Sequence, residues 1–135
     1  MNWALFFEQC REVRWSVPGA LDIAGNRLEP DDMALIIQKF GGTSVADVER
    51  IKQAAFRTQA EVDAGNQVVV VVSAMSGETN RLMALGQAAG GEKPEPRELD
   101  VLLASGEQVT IALLSMALGQ IGIAACSFLG DQVAV

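Results

Sequence analysis

The stretch Lys39-Phe40-Gly41-Gly42-Thr43-Ser44-Val45 sets a lysine, two glycines and two hydroxyls directly after an apolar run, Ala34-Leu35-Ile36-Ile37. A helical pattern follows from near Asp47. That order suits a polyphosphate. Glycines let the backbone approach an anion closely and turn its N–H groups toward it. The helix start adds the positive end of its dipole, and Lys39 adds a full charge. The lysine precedes the glycines, unlike the common phosphate loop, and neither G-x-x-x-x-G-K-[ST] nor G-x-G-x-x-G occurs in the chain. A Gly-Gly pair alone after a strand reads as a tight turn; the whole heptapeptide carries the anion reading.

Two further segments follow in order. One is Val69-Val70-Val71-Val72-Ser73-Ala74-Met75-Ser76-Gly77-Glu78-Thr79-Asn80-Arg81-Leu82. The other is Arg97-Glu98-Leu99-Asp100 with Ser105-Gly106-Glu107-Gln108-Val109. Together with the heptapeptide they resemble the signature of the aspartokinases, within the wider amino-acid kinase family. The resemblance runs from about Met33 to Val135 and covers none of residues 1–32.

It implies ATP with Mg2+ as co-substrate and L-aspartate as acceptor. The implied reaction is phosphorylation of the β-carboxylate to 4-phospho-L-aspartate, the first step of lysine, threonine and methionine biosynthesis. By the same resemblance Lys39 is the catalytic residue and contacts the ATP phosphates with Gly41, Gly42, Thr43 and Ser44. Ser73, Thr79 and Glu107 fall on the substrate side, Glu107 by meeting the α-ammonium group. No protein metal ligand is implied. Other acceptors of the superfamily (glutamate, acetylglutamate, uridylate) fit less well with linked K-F-G-G-T-S and S-G-E-T-N segments. Plainer roles stay open: a solvated strand-end lysine for Lys39, helix caps for Ser73 and Thr79, and a favourable helix-start charge for Glu107. Met75 and Met83 read as core, and Glu98 and Asp100 as a solvated helix face.

The chemistry needs no histidine, and the chain has none. A carboxylate acceptor is already ionised at neutral pH, its pKa being about 4. Phosphoryl transfer then rests on positioning and charge stabilisation. The absence of histidine also excludes Ser-His and Cys-His catalysis and any histidine-held zinc in these 135 residues. Ten basic and 17 acidic residues give a net charge of −7. That argues against nucleic acid or an anionic membrane as partner, since both need clustered Lys and Arg. No run approaches the roughly 18 apolar residues of a spanning helix, so the cytoplasm is the expected location. Cys126, in Ile123-Ala124-Ala125-Cys126, reads as a small buried hydrophobe, and Cys10 lies in the leader.

Residues 1–32 differ from the rest: both tryptophans (Trp3, Trp15) and three basic against six acidic residues, ending in Glu29-Pro30-Asp31-Asp32. They are expected to be a disordered leader or a start-site artefact, with Met33 as the natural start. A partner-binding role through Trp3, Phe6, Phe7 and Trp15 stays open.

The elements that must position the site then alternate. A strand is predicted at about 34–39. A helix follows at about 45–63, capped by Ser44 and burying Val45, Val48, Ile51, Ala55 and Val62. The second strand, Gln67 to Ser73, holds five valines and expects cover on both faces. After a loop at 74–79 comes a short helix to about Ala89, then a linker, Gly90 to Pro96. The next helix, about 97–118, is expected to break near Ser105-Gly106, where Ser105 and Gln108 form a capping-box pattern. A third strand is expected at about 122–127, and Val133-Ala134-Val135 as the start of another. This is a parallel α/β sheet with flanking helices. It corresponds to the N-terminal portion of an amino-acid kinase, carbamate-kinase-like fold, with a partial kinase domain at 33–135. The family's base pocket, second phosphate lysine, acidic organiser and substrate-carboxylate arginine are expected further along. Two expectations follow. The chain needs that C-terminal part, or it forms a homo-oligomer; alone it is weak or inactive, the alternative being a non-catalytic kinase lobe that binds phosphate or a partner.

Overall fold

The computed structural model describes residues 34–132. The leader, Met33 and the predicted strand at 133–135 lie outside the described residues. Strand β1, Leu35–Phe40, pairs in parallel with β2, Gln67–Val72, in a register from Leu35 opposite Gln67 to Phe40 opposite Val72. Helix α1, Val48–Asp63, makes the crossover between them. Helices α2, Glu78–Gly90, and α3, Pro96–Gln120, follow.

Alternation along the strands decides what is covered. Phe40 is buried and Ile36, Gln38, Val68, Val70 and Val72 are half-buried, while Leu35, Ile37, Lys39, Val69 and Val71 are exposed. The covered face meets α1 and α3 in a core of Phe40, Val45, Ile51, Ala54, Ala55, Leu114 and Leu118. The expected cover on both faces of β2 is therefore absent among the described residues.

Three boundaries move, each for a local reason. Ser44 is not the cap of α1: it sits in a 3-10 turn, Gly42–Val45, and its N–H donates to the Gly41 carbonyl at 2.8 Å. Asp47 caps instead, its carboxylate accepting from the Arg50 N–H at 2.9 Å. This satisfies one of the orphan donors that every helix start carries. Val48, expected inside, is half exposed, and Ala54 and Thr58 take the buried positions. Helix α3 runs unbroken through Ser105-Gly106, because the Ser105 hydroxyl donates to the Leu102 carbonyl at 2.6 Å rather than capping a new start. Finally, 122–127 is not a strand. Gly122 leaves α3 at φ +83, and Ile123 and Ala125 pack against the core as irregular chain with no ladder partner among the described residues.

A polar clasp fixes α1 on β1. The buried Thr58 hydroxyl lies 2.9 Å from the Gln38 side-chain oxygen and 3.1 Å from the Ala54 carbonyl, and the Gln38 amide donates to the Arg57 carbonyl. By length and composition α3 could cross a membrane. It packs on α1 and α2, with Gly106, Thr110, Leu114 and Leu118 buried. Cys126 is half-buried and not a free thiol, which differs from the inert buried thiol expected.

Candidate functional site

Both strands end at the same edge of the sheet, where ligands of open α/β folds gather. The Ser73 N–H donates to the Phe40 carbonyl at 3.1 Å, so the loop after β2 starts hydrogen-bonded to the end of β1. Gly42 faces that loop closely: a Cβ built there would stand 3.0 Å from the Ala74 carbonyl oxygen. Only a residue without a side chain fits without movement. Ala74, itself buried, also receives the third segment, its N–H donating to Glu107 Oε1 at 3.4 Å. The glycine turn, the second loop and α3 thus meet around Ala74.

Around this junction the expected donors differ in how they are held. Lys39 is exposed on the uncovered face, opposite Val71 in register. Gly41 and Thr43 are exposed, while Gly42, Ser44 and Ser73 are half-buried. Thr79 is exposed on the first turn of α2. The side chains of Lys39, Thr43, Ser44, Ser73 and Thr79 make no hydrogen bond or ion pair among the described residues. The capping role open to Ser73 and Thr79 is therefore not the one they adopt. The structure joins the Gly41–Ser44 turn, Ser73-Ala74 and Glu107 by contact; no side-chain hydrogen bond or ion pair links Lys39 or Thr79 to them.

Helix α2 starts where the second loop ends. Gly77 takes the left-handed conformation, φ +79, at its N-cap, so a side chain there would be strained. One residue on, Glu78 accepts two hydrogen bonds from Arg81, at 2.9 and 2.6 Å. These bonds hold its carboxyl below the usual carboxylate range and raise the Arg81 guanidinium. The Cγ of Glu78 also lies against Gly106, which a Cβ would bring to 3.5 Å from it and 3.0 Å from the Ala74 side chain.

The sequence reading missed three things here: Ala74 as the hub, the Glu78–Arg81 clamp and the packing role of Gly106. The i, i+3 spacing of Glu78 and Arg81 was the available signal. Nothing in the sequence marked Ala74. Chemically, the edge offers backbone N–H groups at the 3-10 turn, an unpaired ammonium, open hydroxyls and one carboxylate, a set able to hold an anion beside a cationic group. Among the described residues no three carboxylates or cysteines converge to hold a metal ion.

Comparisons with known proteins bear on the family and the fold. The family model of the amino acid kinase family matches residues 34–135. An aspartate kinase of Pseudomonas fluorescens is 60% identical over 104 residues, which cover 76% of this chain and 25% of that protein. An aspartokinase of Pseudomonas aeruginosa is 61% identical over 103 residues, with the same shares covered. Aspartokinase 2 of Bacillus subtilis is 55% identical over 103 residues, again 76% of this chain and 25% of that protein. The crystal structure of aspartate kinase from Synechocystis superposes with a TM-score of 0.64 at 55% identity, covering 66% of this chain and 15% of that one. The expected resemblance and fold class are thus borne out. The chain spans about a quarter of the length of the curated relatives it matches.

Proposed function

The chain belongs to the amino acid kinase family, and from that premise we propose that it is the N-terminal portion of an aspartate kinase of the cytoplasm. The reaction is transfer of the ATP γ-phosphoryl group to the β-carboxylate of L-aspartate. A carboxylate oxygen forms the new O–P bond, the bond from the γ-phosphorus to its bridging oxygen breaks, and ADP leaves with the electron pair. The product is 4-phospho-L-aspartate, and no proton has to be removed from the acceptor at neutral pH.

The roles are those that the family resemblance implies. Lys39 and the Gly41 and Gly42 N–H groups stabilise charge on the phosphates, with the Thr43 and Ser44 hydroxyls as further donors. Thr79 and Ser73 orient aspartate, and Glu107 meets its ammonium group. Magnesium would arrive with ATP and would supply charge neutralisation on the phosphates, beside the donors of Lys39 and the glycine turn. The observation that carries this reading is the junction at Ala74. It brings the glycine turn, the second loop and the Glu107 carboxylate to one edge of the sheet.

A second reading is favoured by the open sheet face, where Leu35 is 59% and Ile37 68% exposed. On that reading these residues form a kinase lobe that binds phosphate but turns nothing over without the remainder of the domain. Hydroxamate trapping of aspartyl phosphate separates the two, applied to the 135-residue chain and to one extended through the rest of the kinase domain. Activity in the extended chain that Lys39→Ala removes supports the assignment of aspartate kinase. An extended chain that phosphorylates another acceptor, or none, overturns it.

A further inference from the structure

Opposite Lys39, on the covered side of β1, a shallow groove lies between the strand and α1, lined by Phe40, Ser44, Arg50, Gln53, Ala54 and Arg57. The four helical residues stand at i, i+3, i+4 and i+7, so they share one face of α1. Arg50 and Arg57 are about 10 Å apart along the axis, close enough for two long side chains to meet over Gln53.

Neither guanidinium makes a hydrogen bond or ion pair among the described residues. The acidic groups of this helix are engaged elsewhere. Glu49 pairs with Lys52 at 2.7 Å, Glu61 accepts from the Asn66 side chain at 2.9 Å, and Asp47 caps the Arg50 N–H. Asp63, six positions beyond Arg57, falls on another face. Two exposed arginines with no ion-pair partner among the described residues flank a carboxamide and can turn their forked donors toward one anion.

We infer that this groove is a second oxyanion subsite, taking a phosphate group between Arg50 and Arg57. Forked guanidinium donors match the oxygen geometry of phosphate, and the Gln53 amide adds a neutral donor. The subsite is separate from the phosphate role given to Lys39. Residues 39 and 40 point to opposite faces of the strand, and Phe40, not Lys39, lines the groove. The inference therefore stands or falls independently of the ATP reading.

The test follows the arginine Nε–H resonances of the 15N-labelled 135-residue chain while inorganic phosphate, and separately methyl phosphate, is added at constant ionic strength. The expected result is a saturable shift of the Arg50 and Arg57 signals in both the natural chain and Lys39→Ala. Arg50→Gln combined with Arg57→Gln, at exposed positions, should weaken the binding seen in Lys39→Ala by roughly tenfold or more. Tighter binding of inorganic phosphate identifies the free ion as ligand; equal or tighter binding of the ester identifies the end group of an organic phosphate. Signals that stay still, that move as much with chloride, or that stop moving in Lys39→Ala overturn the inference.

Discussion

Glu107 Oε1 accepts a hydrogen bond from the Ala74 N–H at 3.4 Å, linking residues 33 apart in sequence. The bond is long, and Glu107 itself is exposed. It is therefore a weak fastener, and its place matters more than its strength. It holds a carboxylate at the edge of the sheet beside the loop that packs on Gly42.

Removing that carboxylate should separate stability from function. Glu107→Ala is expected to lower the unfolding free energy by no more than about 1 kcal/mol, the net worth of an ordinary hydrogen bond. In an extended kinase the same change should raise the KM for aspartate strongly and leave that for ATP nearly unchanged. Denaturant melts and paired KM values check this. A loss of several kcal/mol would make Glu107 a structural residue first.

The two glycines of the turn should respond differently to a methyl group. Gly41 has φ −74 and open space around its Cβ position, so Gly41→Ala should cost little. Gly42→Ala drives a Cβ to 3.0 Å from the Ala74 carbonyl oxygen, where backbone must shift. A cost of about 1–3 kcal/mol is expected, the range for overpacking. Thermal melts of the two variants side by side decide it; equal melting would mean that the loops do not press on each other.

The Glu78–Arg81 clamp gives a pH signature. Arg81 lowers the folded pKa of Glu78, so the stabilisation is present above the unfolded carboxylate value and is lost as pH falls through the lowered folded one. Arg81→Met should therefore melt lower than the natural chain at neutral pH, and the gap should close in acid. Arg81 is exposed and Glu78 only half-buried, so the gap should be small and should shrink with salt. A gap that persists at pH 2 would assign the effect to packing of the arginine stem.

How much of this was readable beforehand depended on whether a feature is local. The strands, α1 and the glycine turn each rest on residues adjacent in sequence, and Lys39 through Ser44 announce themselves as one string. The continuity of α3 was hidden because Ser105 fits a cap on paper. Only tertiary packing of Gly106 against Ala74 and Leu82 shows that the helix must pass straight through. The absent third strand has a similar cause: Ile123 and Ala125 carry a strand-like pattern but spend it on the core without a ladder. The Ala74 hub had no signal in the sequence, since alanine is chosen there for what its backbone and small side chain touch.

The open face of the sheet predicts association. Leu35, Ile37, Val69 and Val71 form a contiguous apolar surface on paired strands, with Ile37 opposite Val69. Such a surface favours dye binding and self-association. Ile37→Thr with Val71→Thr should reduce both in the 135-residue chain, as read by dye fluorescence and light scattering. A natural chain that stays monomeric without dye response would show that this face is covered.

Activity is the sharpest test, and it turns on how many charge-stabilising groups stand at the edge. On the proposed reading Lys39 and the turn amides supply one side of a phosphate site, and Thr79 and Glu107 part of an aspartate site. The resemblance places a second lysine, an acidic organiser and a substrate arginine beyond residue 135. Each missing donor is commonly worth roughly 10²–10³ in rate, so losing several brings turnover to background. The 135-residue chain is expected to yield no measurable aspartyl hydroxamate with ATP, magnesium and aspartate, yet to retain weak phosphate binding of which only part depends on Lys39. The extended chain should turn over, and Lys39→Ala should reduce its kcat by about 10² or more with little change in aspartate KM, as for a group acting mainly on transition-state charge. Robust turnover by the short chain would show that its own donors suffice. An extended Lys39→Ala variant with full kcat would remove Lys39 from the phosphate site altogether.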